Sequence, residues 1–146
     1  MLISSPAYGP QAELLVDALA SLDIPAHVVG SENDMQYELV RKNVYILTTN
    51  IAGLVTGGTV EHLWNDNKAL AEEVANEVMD IQEYLTQSTY DRNRLMDGFV
   101  EGINGDLEHK CMGRSAPGRL ARALQHADEA DLAVPRLREI QANHTD

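Results

Sequence analysis

Four sets of residues in this sequence have types and spacings that could do chemistry. Lys42 and Asn50 stand eight residues apart, slightly more than two helical turns, so on a helix the amine and the amide project from nearly the same side. A lysine half-buried beside a carboxamide can protonate a developing alkoxide or hold a substrate carboxylate. The competing reading is a surface lysine paired with Glu38, one turn earlier in the favourable acid-to-base order. Glu72, Glu73, Glu77 and Asp80 recur at helical spacing and could gather carboxylates around Mg²⁺ to cleave a nucleotide pyrophosphate. Against that, Val74, Val78 and Ile81 claim the inward face, and the next helix offers only Asp97 and Glu101; a solvated acidic face is the alternative.

The third set is the thiol and the imidazoles. Cys111 follows His109 by two residues, and residues two apart on a helix point away from each other, which argues against a Cys–His nucleophile. His27, His62, His126 and His144 are scattered without metal-ligand spacing. The fourth set, Gly53, Gly57 and Gly58, fits neither GxGxxG nor the Walker pattern and reads as a connection between helices. The chain as given thus carries no nucleotide-binding fingerprint.

The elements that position these residues follow from hydrophobic period. Met1 to Ser4 reads as a short strand. Leu14, Leu15, Ala18, Leu19 and Leu22 mark a helix stopped by Pro25, and Ala26 to Val29 reads as a second strand. Val44 to Leu47 is strand-like in isolation, yet Tyr37, Val40, Val44, Leu47, Ile51 and Leu54 follow one face of a long helix. Longer-range period favours the helix, which Gly53, Gly57 and Gly58 should end.

Beyond it, Thr59 caps a short turn with Val60, Leu63 and Trp64. Leu70 to Leu85 gives a stripe on a helix from about Asp66 to Gln87. Leu95, Phe99, Ile103 and Leu107 give another, broken by Gly98 and Gly102. Ser115 caps a helix with Pro117 in its first turn, and Val134-Pro135 opens the last. The fold class is mainly α: a helical bundle (31–146) behind a β-α-β lead-in (1–30), forming one compact unit.

Composition sets the outer bounds. The chain has 146 residues, 44% hydrophobic and 23% charged, with a net charge of −12. This is globular composition for a single domain. So acidic a chain repels phosphate backbones and anionic lipid, which disfavours nucleic-acid and membrane partners. A single cysteine forms no internal disulfide. No apolar run reaches the roughly 18 residues of a membrane span, and the start lacks the basic region of a secretory signal. The expectation is a cytoplasmic protein.

The order of motifs resembles the C-terminal half of the ketopantoate reductase (2-dehydropantoate 2-reductase) family over about four-fifths of the chain, from Leu14 to Pro135. The resemblance rests on the helix and strand ending Ile24-Pro25-Ala26-His27-Val28-Val29, on Leu39-Val40-Arg41-Lys42 running on to Asn50, on Glu72-Glu73-Val74, on Cys111-Met112 and on Ala133-Val134-Pro135. It implies a helical substrate domain of the 6-phosphogluconate dehydrogenase C-terminal type, serving NADPH-dependent reduction of a 2-oxo acid in pantothenate biosynthesis. By that resemblance Lys42 is the general acid, and Asn50, Cys111 and Ser115 lie toward the substrate. Leu2 to Pro6 would match the last strand of the family's nucleotide-binding domain.

The departures are as specific. Ile46 replaces a family asparagine, Cys111 replaces a serine, the substrate-binding glutamate has no counterpart near Ser115, and the Rossmann domain is missing. NADPH would therefore be used only with a nucleotide-binding partner. Three accounts stand: this reductase half, a non-catalytic oligomerisation or binding module of the same fold, and the Mg²⁺-dependent pyrophosphohydrolase. A β-α-β unit without a parent sheet leaves strand edges and the apolar side of Leu14–Leu22 uncovered. The expected partner is a second copy, as a homo-dimer, or a Rossmann-domain chain.

Overall fold

A computed structural model describes residues 3–144. Among them are two strands and seven helices: β1 Ser5–Ala7, α1 Ala12–Ala20, β2 Ala26–Val28, α2 Glu32–Thr56, α3 Val60–Asp66, α4 Lys68–Thr86, α5 Arg92–Gly105, α6 Ala116–Glu129 and α7 Pro135–His144. The protein is mainly helical behind a short parallel two-stranded sheet, and among the described residues no helix is long and apolar enough to cross a membrane. The first strand starts later than its sequence suggests; Met1 and Leu2 lie outside the described residues.

α2 is the axis. It touches every helix from α3 to α7, and β1 as well. Ser31 starts it: the Ser31 hydroxyl accepts the Asp34 N–H at 3.1 Å, and Glu32 and Asp34 in the first turn complement the helix dipole. Val40, Val44, Ile51 and Ala52 are fully buried and Tyr37 nearly so, while Leu47 and Leu54 are half-buried. The helical phase thus holds through Val44–Leu47 despite their β propensity, because burial on several sides outweighs it. Gly57 ends the helix at φ +60°, a conformation that costs glycine little.

Gly53 does not end α2. It is buried inside the helix, where an added Cβ would lie 2.7 Å from the Cys111 Cβ. Nor do Gly98 and Gly102 merely interrupt the stripe of α5. A Cβ at Gly98 would meet Arg41, and one at Gly102 would sit 2.7 Å from the Tyr45 ring. These two glycines let the Arg41 and Tyr45 side chains of α2 lie flat along α5. Phe99, between them in sequence, turns to the core, with ring centroids 6.0 Å from Tyr45 and 5.7 Å from Trp64.

The caps divide. Thr59 caps α3, its hydroxyl accepting the His62 N–H at 3.3 Å. Ser115 sits at the start of α6 in helical conformation, so its side chain makes no capping bond. The cap of α7 comes from elsewhere: the Glu77 carboxylate accepts the N–H groups of Arg136 and Leu137, both at 2.9 Å.

The lead-in is thin. β1 and β2 pair in parallel with Ser5 opposite Ala26 and Ala7 opposite Val28. Ala12 of α1 is buried and Val16 and Leu19 are half-buried, while Leu14, Leu15 and Leu22 are 66%, 50% and 68% exposed. The apolar side read from the sequence is indeed uncovered.

The close approaches predict opposite outcomes for two alanine substitutions. Gly53→Ala meets backbone as well as side chain at Cys111 and should destabilise by about 1–3 kcal/mol. Gly98→Ala meets a flexible arginine and gains up to about 1 kcal/mol of helix propensity, so it should be near neutral. Chemical denaturation of both variants checks the contrast.

Candidate functional site

A concavity lies between the start of the lead-in and the α2–α5 pair. It encloses about 360 Å³, within the roughly 300–1,000 Å³ typical of small-ligand sites. One wall is Ile3 to Pro6. The floor is α5 at Gly98, Gly102 and Gly105, the first two buried beneath Arg41 and Tyr45, and the other wall is α2 with Glu38, Arg41, Lys42 and Tyr45. Asp106 and His109 close the far end. Their loop is fastened to the start of α3: the Val60 N–H donates to the His109 carbonyl at 2.9 Å and the Glu61 N–H to that of Leu107 at 3.2 Å.

Charge within the cleft is mostly spoken for. Arg41 bonds Glu38 at 3.2 Å and reaches Glu101 at 3.4 Å. The His109 ring lies 3.8 Å from the Asp106 carboxylate. Lys42 has no carboxylate within 4 Å among the described residues, although its side chain lines the cleft. Glu38, the expected partner of Lys42, has taken Arg41 instead. On the lead-in side the Ser4 hydroxyl and His27 Nδ1 are 2.8 Å apart, which ties the chain before β1 to β2. Burial pushes the Tyr45 hydroxyl above its ordinary pKa, with Asp106 and Cys111 adding to the shift. It therefore stays a neutral phenol at the cleft wall.

The other residues expected near Lys42 are elsewhere. The Asn50 amide donates to the Cys111 carbonyl at 3.2 Å and does not line the cleft. The pitch of α2 explains the divergence, since eight residues overshoot two turns by roughly 80°. Lys42 is exposed at the lip, not half-buried beside a carboxamide. Cys111 is fully buried, and burial raises its thiol pKa from 9.0 to about 11. Its N–H donates to the Gly58 carbonyl at 3.0 Å, so this residue fastens the loop that Asn50 holds from the other side. Ser115 is exposed and outside the cleft lining.

The acidic set on α4 is engaged in structure. Glu73 bonds Arg136, Glu77 caps α7, Asp80 bonds Arg92, and Glu72 lies 3.9 Å from Lys68. No group of three or more His, Cys, Asp or Glu residues able to hold a metal occurs among the described residues.

Arg41, Tyr45, His109 and the glycine floor were not evident from the sequence. The available signal was Gly98, Gly102 and Gly105 at i, i+4 and i+7, which puts backbone along one helix face. No family model, curated protein or solved structure matches the chain.

The Cys111 shift gives a pH signature. The folded state favours the protonated thiol, so its stabilisation is complete below pH 9.0 and is lost as pH rises toward about 11. Denaturation midpoints measured from pH 7 to 11 should fall more steeply for the wild type than for Cys111→Ala. Parallel curves would mean that the thiol is not so held.

Proposed function

We propose that this chain is the substrate-side half of a reductase acting on a small 2-oxo acid, of the ketopantoate reductase kind, with a helical domain of the 6-phosphogluconate dehydrogenase C-terminal type. The observation that carries this reading is Lys42: an ammonium with no carboxylate within 4 Å among the described residues, at the lip of a cleft of ligand size. An unpaired cation there attracts a carboxylate and can give a proton to a carbonyl oxygen as charge develops on it. Tyr45, Pro6 and Ile3 supply apolar wall for the body of the acid.

NADPH is the reductant that the resemblance implies, and this chain's residues do not fit it. The described sheet has two strands, and the β1–α1 turn, Tyr8-Gly9-Pro10-Gln11, lacks the glycine fingerprint. Glu13 in the first turn of α1 opposes a pyrophosphate there. A separate nucleotide-binding chain or domain would have to bring the dinucleotide, in the cytoplasm, where the lone thiol remains reduced. What this chain contributes is the oxo-acid cleft and the Lys42 proton.

A second reading has its own observation. Asn50, Cys111 and Ser115 do not join Lys42 in the cleft, which favours a non-catalytic binding module that kept the fold without the chemistry.

Calorimetric titration with 2-oxo-3-methylbutanoate tests the first reading. Binding should weaken at least about tenfold in Lys42→Ala, which leaves the fold intact because the side chain is exposed. With a nucleotide-binding partner added, the same variant should lower NADPH oxidation about a hundredfold or more. Binding that ignores the substitution, or no binding at all, would leave the module reading in its place.

A further inference from the structure

α2 and α5 run side by side in the same direction. The Tyr37 hydroxyl donates to the Arg94 carbonyl at 3.1 Å, Arg41 lies against Gly98, and Tyr45 lies against Gly102. Each step of four residues along one helix matches four along the other, so Lys42 is level with Phe99. Asp106, which closes the far end of the cleft, stands seven residues further on, about 10 Å of helical rise beyond Lys42.

These two groups carry opposite charge and stand too far apart to pair. Lys42 has no carboxylate within 4 Å among the described residues. The Asp106 carboxylate has one basic neighbour within that range among the described residues, the His109 ring at 3.8 Å, which is beyond hydrogen-bond length. Arg41 and Glu38, which also line the cleft, neutralise each other. The Asp106 charge reaches the cleft wall: burial raises the pKa of the Tyr45 hydroxyl, and Asp106 adds to that shift.

An ammonium at one end of a cleft and a carboxylate at the other are complementary to a ligand of the reverse polarity. A simple 2-oxo acid answers only Lys42 and, as an anion, is repelled by a chain with twelve more acidic than basic residues. A zwitterion escapes that repulsion. With a hydrogen-bond length set aside for the contacts, the ligand must hold its charges roughly 7 Å apart, the span of about six bonds. Tyr45 stands between the two anchors, and with Pro6 it gives the intervening methylenes an apolar wall.

We infer that the acid taken by this cleft carries a guanidinium at the far end of its chain, so that Lys42 receives the carboxylate and Asp106 receives the cation. A planar guanidinium meets a carboxylate with two parallel hydrogen bonds, which a compact ammonium does not. The inference rests on the oxo-acid reading and adds to it a specificity-determining residue, Asp106, and a chain length.

Calorimetric titration of the full chain with 5-guanidino-2-oxopentanoate and with its uncharged counterpart of equal length, 2-oxooctanoate, tests it. The guanidino acid should bind about fivefold more tightly, the upper scale of a solvent-accessible ion pair. Asp106→Asn should abolish that preference, and Lys42→Ala should weaken both acids; each side chain is exposed, so neither variant disturbs the fold. Asp106→Lys should reverse the selection, toward a 2-oxo dicarboxylate such as 2-oxoadipate. Equal binding of the two acids, still dependent on Lys42, overturns the inference and leaves the oxo-acid reading standing. A preference that persists in Asp106→Asn also overturns it, because the net negative charge of the chain would then be its source. Binding of neither acid overturns both.

Discussion

The burial of one broad face of α2 among five other helices is the constraint on which the rest of the structure depends. Val40, Val44, Ile51 and Ala52 have essentially no exposure, and five other helices pack around the segment that carries them. This packing holds the strand-prone run Val44-Tyr45-Ile46-Leu47 in helical phase, since each buried aliphatic contributes about 1.5–3 kcal/mol against a propensity difference of about 1 kcal/mol or less. The same phase sends Arg41, Lys42 and Tyr45 toward α5 and the lead-in, and Asn50 toward Cys111.

The cleft is the consequence of small residues on the facing helix. With alanines at 98 and 102, the Arg41 and Tyr45 side chains would have to lift from α5, and the space that Lys42 overlooks would change shape. Arg41 in turn satisfies Glu38 and Glu101. Arg41 thus takes the carboxylate one turn before Lys42, which has no carboxylate within 4 Å among the described residues.

Much of the architecture was legible in the sequence because apolar period reports burial directly. The helices of residues 32–56, 68–86, 92–105 and 135–144, α1 and β2 follow from it, whereas β1, read at Met1–Ser4, runs from Ser5 to Ala7. What was not legible depends on partners distant in the chain. The Ser115 cap fails because its backbone is already helical, and α7 takes its cap from Glu77, about sixty residues away in sequence. Gly53 looked like a terminator because its packing partner, Cys111, is invisible to local pattern. Lys42 and Asn50 were paired by counting turns, but a rotation of roughly 80° and a carbonyl at position 111 separate them.

The central claim is that the cleft beside Lys42 receives a small 2-oxo acid. Backbone amide chemical shifts, followed in the isotope-labelled chain as 2-oxo-3-methylbutanoate is added, report on it most directly. The account predicts saturable shifts at Lys42, Tyr45, Gly102 and Gly105, with Asn50 and Ser115 unmoved. Shifts centred on Asn50, Cys111 and Ser115, or none at saturating acid, would contradict it.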